Sequence, residues 1–199
     1  MKIVLIGASG TIGQAVEREL AARHEVIRVG RTSGDYQVDI RDAASIRQLF
    51  EQTGRFDALV SATGSVHFGA LAEMHAEQFA IGLNDKLMGQ VNLLLIGREF
   101  INDGGSFTLT SGVLSDDPIV AGTSASMVNG ALNSFVKAAA IELPRGLRVN
   151  VISPTVLVEA MDSYGPFFRG FKPVPAVDVA LAYAKSVEGK QTGQIYTVG

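Results

Sequence analysis

The chain has 199 residues, of which 47% are hydrophobic, and its mean hydropathy is +0.24. This length and apolar content suit one α/β domain built on a single open sheet. The net charge of −3 argues against nucleic acid or an anionic membrane surface as a partner. The absence of cysteine excludes disulfides and thiol catalysis and favours a reducing, cytoplasmic location.

Apolar runs alternate with helical patterns along the whole chain, without a linker or repeat. Strands are predicted near residues 2–6, 25–29, 36–39, 57–61, 105–110, 147–153 and 194–198. Helices are predicted near residues 11–22, 42–52, 76–102, 123–143 and 176–187. The pair Gly104-Gly105 is expected to end the longest helix before the next strand. This order predicts an α/β Rossmann fold, a doubly wound parallel sheet of about seven strands with helices on both faces.

The first predicted strand runs directly into three glycines and then a helix. Gly7 permits a tight turn, Gly10 lets the backbone approach a pyrophosphate, and Gly13 lets the helix pack close to the sheet. The free N–H groups at the helix start favour phosphate binding. The pattern predicts a dinucleotide site, rather than a simple crossover, with contacts from Gly7, Ser9, Gly10, Thr11, Ile12 and Gly13.

The end of the second strand bears on the choice of dinucleotide. NAD sites usually place a carboxylate here for the ribose 2′-hydroxyl, whereas this chain has Gly30 followed by Arg31, Thr32 and Ser33. A guanidinium can bind a 2′-phosphate, so NADP(H) is favoured over NAD(H). Arg31 as a solvated loop cation is the alternative.

The third strand ends at Asp39, followed by Ile40, and both residues are expected to contact the cofactor. The Asp39 carboxylate could accept a hydrogen bond from the adenine amino group or cap the next helix. Asp42 is better placed to be that cap.

From Met1 to Gly199 the chain resembles the short-chain dehydrogenase/reductase family. The resemblance rests on the glycine turn, Ser61–Gly64 after the fourth strand, Thr110-Ser111 after the fifth and Arg148–Pro154 as the sixth. It implies a single NADP(H)-binding domain over residues 1–199. The glycine spacing is nearer to the extended or atypical branches of the family. Further cofactor contacts implied by the resemblance are Ala62, Thr63, Gly64, Thr110, Pro154, Val156 and Leu157.

The family's usual catalytic site combines Ser, Tyr and Lys with an Asn on the helix before the fifth strand. By this resemblance Ser111 matches the serine, but Ala125 stands at the Tyr position, Asn129 at the Lys position and Lys86 at the Asn position. Asn129 and Lys86 therefore resemble an exchange of the family's Lys and Asn across the site. A Lys86 that projects to solvent with Asp85 is the alternative.

With Ala125 at the family's Tyr position, the sequence has no phenol there to transfer a proton. Ser111, His67 and Tyr164 are candidate substitutes. His67 follows the Ser61–Gly64 turn, and Tyr164 lies in an aromatic segment, 161–171. That segment is expected to cover an apolar part of a small-molecule substrate or to pack on the protein or a partner subunit.

No residues have the spacing of metal ligands, since His24 and His75 lack a second ligand. Two long helices resemble those through which family members associate, so a homodimer or homotetramer is expected. The resemblance implies an NADP(H)-dependent oxidoreductase acting on a carbonyl, alcohol or activated alkene with a remodelled proton relay. A non-catalytic NADP(H)-binding redox sensor or assembly protein is the alternative.

Overall fold

Seven parallel strands form one sheet in the order β3-β2-β1-β4-β5-β6-β7. The computed structural model describes residues 1–199. The strands are β1 Lys2–Ile6, β2 Glu25–Gly30, β3 Tyr36–Gln37, β4 Phe56–Ser61, β5 Ile101–Thr110, β6 Arg148–Pro154 and β7 Ile195–Val198. The predicted doubly wound sheet is confirmed. The strand order reverses between β1 and β4, which places a ligand crevice at their carboxyl ends.

Helices cover both faces of the sheet, as predicted. They are α1 Thr11–Ala21, α2 Ala43–Thr53, α3 Ala76–Gly82, α4 Met88–Gly97, α5 Thr123–Glu142, α6 Met161–Tyr164 and α7 Ala176–Glu188. In β1, Val4 packs in the core formed with α2, α4 and α5, whereas Ile3 and Leu5 pack in the core formed with α1 and α7. Alternate residues of a strand point to opposite faces, so the apolar run of β1 is buried on both sides. No helix combines the length and apolarity needed to cross a bilayer.

The prediction of one long helix over residues 76–102 is wrong. A π-helical turn, Leu83–Leu87, separates α3 from α4, and α4 ends at Gly97. Beyond that end, the Arg145 guanidinium donates to the exposed carbonyl of Arg98 (2.6 Å). Hydrophobic periodicity does not reveal the extra residue that a π turn inserts.

The expected role of Gly104-Gly105 is also wrong, because both glycines lie inside β5. They fall where the pairing of β5 with β4 shifts register. Gly104 has φ +75°, and a Cβ on Gly105 would lie 2.7 Å from the Asp57 carbonyl oxygen. The glycines therefore permit an irregularity within the strand instead of ending the helix.

Candidate functional site

The glycine turn after β1 has the close backbone packing that its sequence predicts. Gly7 has φ +84°, and a Cβ there would lie 2.5 Å from the Ala62 carbonyl oxygen. A Cβ on Gly13 would lie 2.0 Å from the Gly7 carbonyl oxygen. Gly10 lines an open cavity instead. The first N–H groups of α1 are therefore held beside that cavity, where they suit an anion.

This glycine-turn cavity has a volume of about 240 Å³. Its lining residues come from the carboxyl ends of β1, β2 and β4, from the segment after β3 and from the π-helical turn. They are Ile6, Gly7, Ser9, Gly10, Gly30, Arg31, Val38, Asp39, Ile40, Arg41, Ala62, Thr63, Ser65 and Asp85. Eight of the cofactor contacts predicted from the sequence are therefore brought together here. Thr32 and Ser33 are exposed outside this lining, and a Cβ on Gly30 would meet the Ser33 carbonyl oxygen at 2.7 Å.

Arg41 is a lining residue that the sequence reasoning missed. Its guanidinium donates to both carboxylate oxygens of Asp39, and these bonds hold the pKa of Asp39 well below its usual range. Asp39 thereby fixes a second cation in the cavity beside Arg31. Helix α2 is capped by Asp42, which accepts from the Ala44 N–H (2.9 Å). The only available signal for Arg41 was its spacing of two residues from Asp39.

A second cavity of about 280 Å³, called here the Lys86 cavity, adjoins the first at Ala62 and Thr63, which line both. Its other lining residues are Ile12, Gly64, Val66, Phe68, Lys86, Thr110, Ser111, Gly112, Val113, Leu114, Ala125, Asn129, Pro154, Thr155, Val156 and Phe168. Ser111, Asn129 and Lys86, which are far apart in sequence, therefore meet in one place. Thr11, Gly13 and Leu157 were predicted as contacts but lie outside both linings.

Lys86 lies on the π-helical turn and points to the cavity rather than away with Asp85. Its Nζ donates to Asn129 Oδ1 (2.8 Å) and to the Ser111 carbonyl oxygen (2.9 Å). Burial lowers the pKa of Lys86 to about 8. The Asp85 carboxylate accepts from the Ser65 N–H (2.8 Å) and lines the glycine-turn cavity. Lys86 and Asn129, the two residues that resemble an exchange of the family's Lys and Asn, are thus in direct contact.

A second buried amide fixes this arrangement. Gln90 is fully buried and accepts from the Thr110 N–H (2.8 Å) while donating to the Thr110 carbonyl oxygen (2.8 Å) and the Lys86 carbonyl oxygen (3.1 Å). It therefore joins the end of β5 to the turn that carries Lys86. The Ser111 hydroxyl makes one long contact, 3.5 Å to the Ile152 carbonyl oxygen, so it is free to donate to a ligand.

His67 and Tyr164, the other candidate proton donors, lie outside the Lys86 cavity. Tyr164 lines a third, apolar cavity of about 240 Å³, called here the rim cavity. Its residues are Phe68, Ile119, Ala121, Ser163, Tyr164 and Phe167. Phe68 lines both the rim cavity and the Lys86 cavity, and its ring centroid is 6.2 Å from that of Tyr164.

Comparisons with known proteins agree with this architecture. A family model described as enoyl-(acyl carrier protein) reductase matches residues 6–184. An uncharacterised oxidoreductase of Methylorubrum extorquens is 29% identical over 179 residues, 78% of this chain and 72% of that protein. The crystal structure of the protein lin1944 from Listeria innocua is 55% identical and covers both chains fully, with a TM-score of 0.99.

A small-chain dehydrogenase in complex with NADPH is 27% identical, with a TM-score of 0.88 over 100% of this chain and 96% of that one. The match to the family model spans most of the chain and includes every residue that lines the glycine-turn cavity and the Lys86 cavity. The chain therefore belongs to the short-chain dehydrogenase/reductase family.

Proposed function

We propose that the protein is an NADP(H)-dependent oxidoreductase that interconverts a carbonyl and an alcohol, or reduces an activated alkene. The observation that carries this proposal is the continuity of the glycine-turn cavity with the Lys86 cavity through Ala62 and Thr63. One end offers helix N–H groups and two arginines, and the other offers Lys86 and the Ser111 hydroxyl. This arrangement suits a dinucleotide whose adenosine end and pyrophosphate bind in the glycine-turn cavity and whose nicotinamide end binds in the Lys86 cavity.

The residues of the glycine-turn cavity fit an NADP(H) molecule. Gly7 and Gly13 leave no space for a side chain and keep the α1 N-terminus open to a pyrophosphate. Arg31 and Arg41 supply positive charge suited to a 2′-phosphate. NADPH is present in the small-chain dehydrogenase of similar structure. When bound, the nicotinamide supplies or accepts hydride.

The dinucleotide part of the proposal is tested by fluorescence titration of NADPH and NADH. Arg31→Ala should weaken NADPH binding about 10- to 100-fold, as expected for loss of a charge-assisted bond, and leave NADH binding unchanged. Arg18→Ala, an exposed arginine of α1 outside the cavities, is the control. Equal affinity of the wild type for both cofactors would contradict the proposed 2′-phosphate site.

Turnover is tested by following NADPH oxidation with aldehydes, ketones, quinones and enones. We expect reduction of at least one class. Tight NADPH binding without turnover on any of them would favour the non-catalytic sensor or assembly protein, a function that the loss of the phenol at Ala125 would explain.

The rim cavity supports a substrate with an apolar part. Phe68 lines both this cavity and the Lys86 cavity, which contains Ser111, so an apolar chain attached to a carbonyl could occupy both spaces. Tyr164→Ser should lower kcat/KM about tenfold for a long-chain aldehyde and leave propanal unaffected, because only the longer chain reaches Tyr164. Steady-state kinetics measure this difference. Equal losses for both aldehydes would assign Tyr164 a general structural role.

A further inference from the structure

Lys86 is the only ionisable side chain among the residues that line the Lys86 cavity. The wall that would carry a phenol in the family's usual site carries Ala125 instead, and it is buried. The remaining polar side chains are hydroxyls and the Asn129 amide, which are weak acids. Any proton delivered from the protein inside this cavity therefore has one suitable source.

The hydrogen bonds of Lys86 leave it able to act as that source. An ammonium group has three N–H donors, and two are taken by Asn129 Oδ1 and the Ser111 carbonyl oxygen. The third donor remains for an acceptor in the cavity. Both protein acceptors are neutral oxygens, so no carboxylate holds the proton on Nζ. Ser111 brings its own hydroxyl to the same wall.

The charged groups around Lys86 do not neutralise it. Asp85 precedes it and is bonded to the Ser65 N–H, while Arg41 pairs with Asp39. On the helices packed against the π-helical turn, Glu77 of α3 and Lys137 of α5 are exposed and make no bond to Lys86. Burial alone therefore sets its acidity, at a pKa of about 8.

We infer that Lys86 is the proton donor of the reaction, and that Ser111 holds the substrate oxygen while Asn129 positions the ammonium. This inference rests on the proposed function, in which reduced NADP is the reductant. Hydride adds to the carbonyl carbon, the C=O electron pair moves to oxygen, and that oxygen takes a proton from Lys86 Nζ. The amine left behind regains a proton from water. Oxidation of the alcohol runs in reverse, with neutral Lys86 as the base.

Substrates that differ in their need for a proton test this role. An alkoxide formed from a ketone or aldehyde needs protonation, whereas quinone reduction gives a phenolate, which is a stable anion. Lys86→Met should lower kcat/KM for aldehydes and ketones about 100-fold or more and that for quinones less than tenfold. Lys86→Arg keeps the positive charge, but a guanidinium does not release a proton in proteins, so this variant should show the same selective loss. Lys137→Met, on the exposed surface of α5, is the matched control.

The pH profile and an NMR titration complete the test. Wild-type ketone reduction should fall tenfold per pH unit above pH 8, and Lys86→Arg should abolish that fall. In NADPH-free protein with 13C-labelled lysine, one resonance should titrate near pH 8 and be absent from Lys86→Arg. Equal losses on ketones and quinones, no loss at all, or lysines that all titrate near pH 10 would overturn the inference. A wild type that binds NADPH but reduces nothing would instead overturn the proposed function.

Discussion

At the scale of single residues, Asn129 is the side chain that accepts a hydrogen bond from the Lys86 ammonium. Its Oδ1 accepts from Nζ at 2.8 Å, so a carboxylate of the same shape would stabilise the ammonium at that distance. Asn129→Asp should therefore raise the pKa of Lys86 and move the alkaline fall in ketone reduction to higher pH by about one unit or more. Rate measurements from pH 6 to 10 check this shift.

The control for that variant is Asn84→Asp, which adds the same charge to an exposed site on the same π-helical turn. It should leave the fall near pH 8. An unmoved profile in Asn129→Asp would mean that Lys86 does not set the pH dependence.

The half-buried ammonium of Lys86 also makes stability depend on pH. The pKa of Lys86 is about 8 in the folded protein and about 10.4 in an unfolded chain, so the unfolded state binds more protons between these values. The free energy of unfolding should rise between pH 8 and 10.4 by about 1–3 kcal/mol more in the wild type than in Lys86→Met. Below pH 8 both states are protonated, so this contribution is flat. Urea unfolding at pH 7 and 10 measures it, and parallel curves for the two proteins would contradict it.

Individual site residues differed in how far the sequence could predict them. Lys86, Ser111 and Asn129 could be aligned to positions in the family pattern, and the fold brings them together. Arg41 could not be found this way, because its place in the cavity depends on its pairing with Asp39 after β3. The exclusion of Thr32 and Ser33 from the lining likewise depends on the path of the loop after β2.

At the scale of elements, the π-helical turn and β5 are held together by Gln90. Replacement by Leu would leave the N–H and carbonyl groups of Thr110 without their partner in the interior. Gln90→Leu should lower the free energy of unfolding by roughly 2–4 kcal/mol, as expected for several lost bonds and buried unpaired groups. Urea denaturation measures the change. Gln48→Leu, exposed on α2, should change stability little, and equal effects of the two variants would contradict this role of Gln90.

Helices and strands could be predicted from the sequence where a local residue pattern determines them. The apolar runs located the strands, and Asp42 marked the start of α2. The break in the long helix could not be predicted, because Leu83–Leu87 has no glycine or proline that would interrupt a helix. The position of Gly104-Gly105 within β5 depends on contact with Asp57 of β4, a partner distant in sequence.

At the scale of the whole molecule, the strand order and right-handed crossovers alone predict the place of the crevice, at the carboxyl ends of β1 and β4. Which apolar side chains remain exposed on the surface could not be predicted from the sequence in the same way. The helices α3, α4 and α5 and the turn between α3 and α4 belong to one side of the sheet and expose Ile81, Met88, Leu95, Met127 and Ile141. Water contact with so many large apolar side chains is costly, which favours their burial between subunits.

We therefore expect a homodimer or homotetramer in solution. Light scattering after size-exclusion chromatography should give a multiple of the 21.0 kDa chain mass. Met88→Glu should lower that mass by introducing a buried charge at the contact. Leu181→Glu on α7, at the opposite face of the sheet, is the control. A wild-type mass of 21 kDa would contradict the expectation.

The solitary ionisable group in the Lys86 cavity has a consequence for the timing of turnover. The lining offers no second ionisable group that could return a proton to the amine, so with Lys86 as the proton donor we expect each cycle to end with solvent reaching Nζ directly. Small buffer molecules able to enter the cavity should then accelerate turnover when reprotonation is slow. A steady-state rate that rises with buffer concentration at fixed pH and ionic strength would reveal that step.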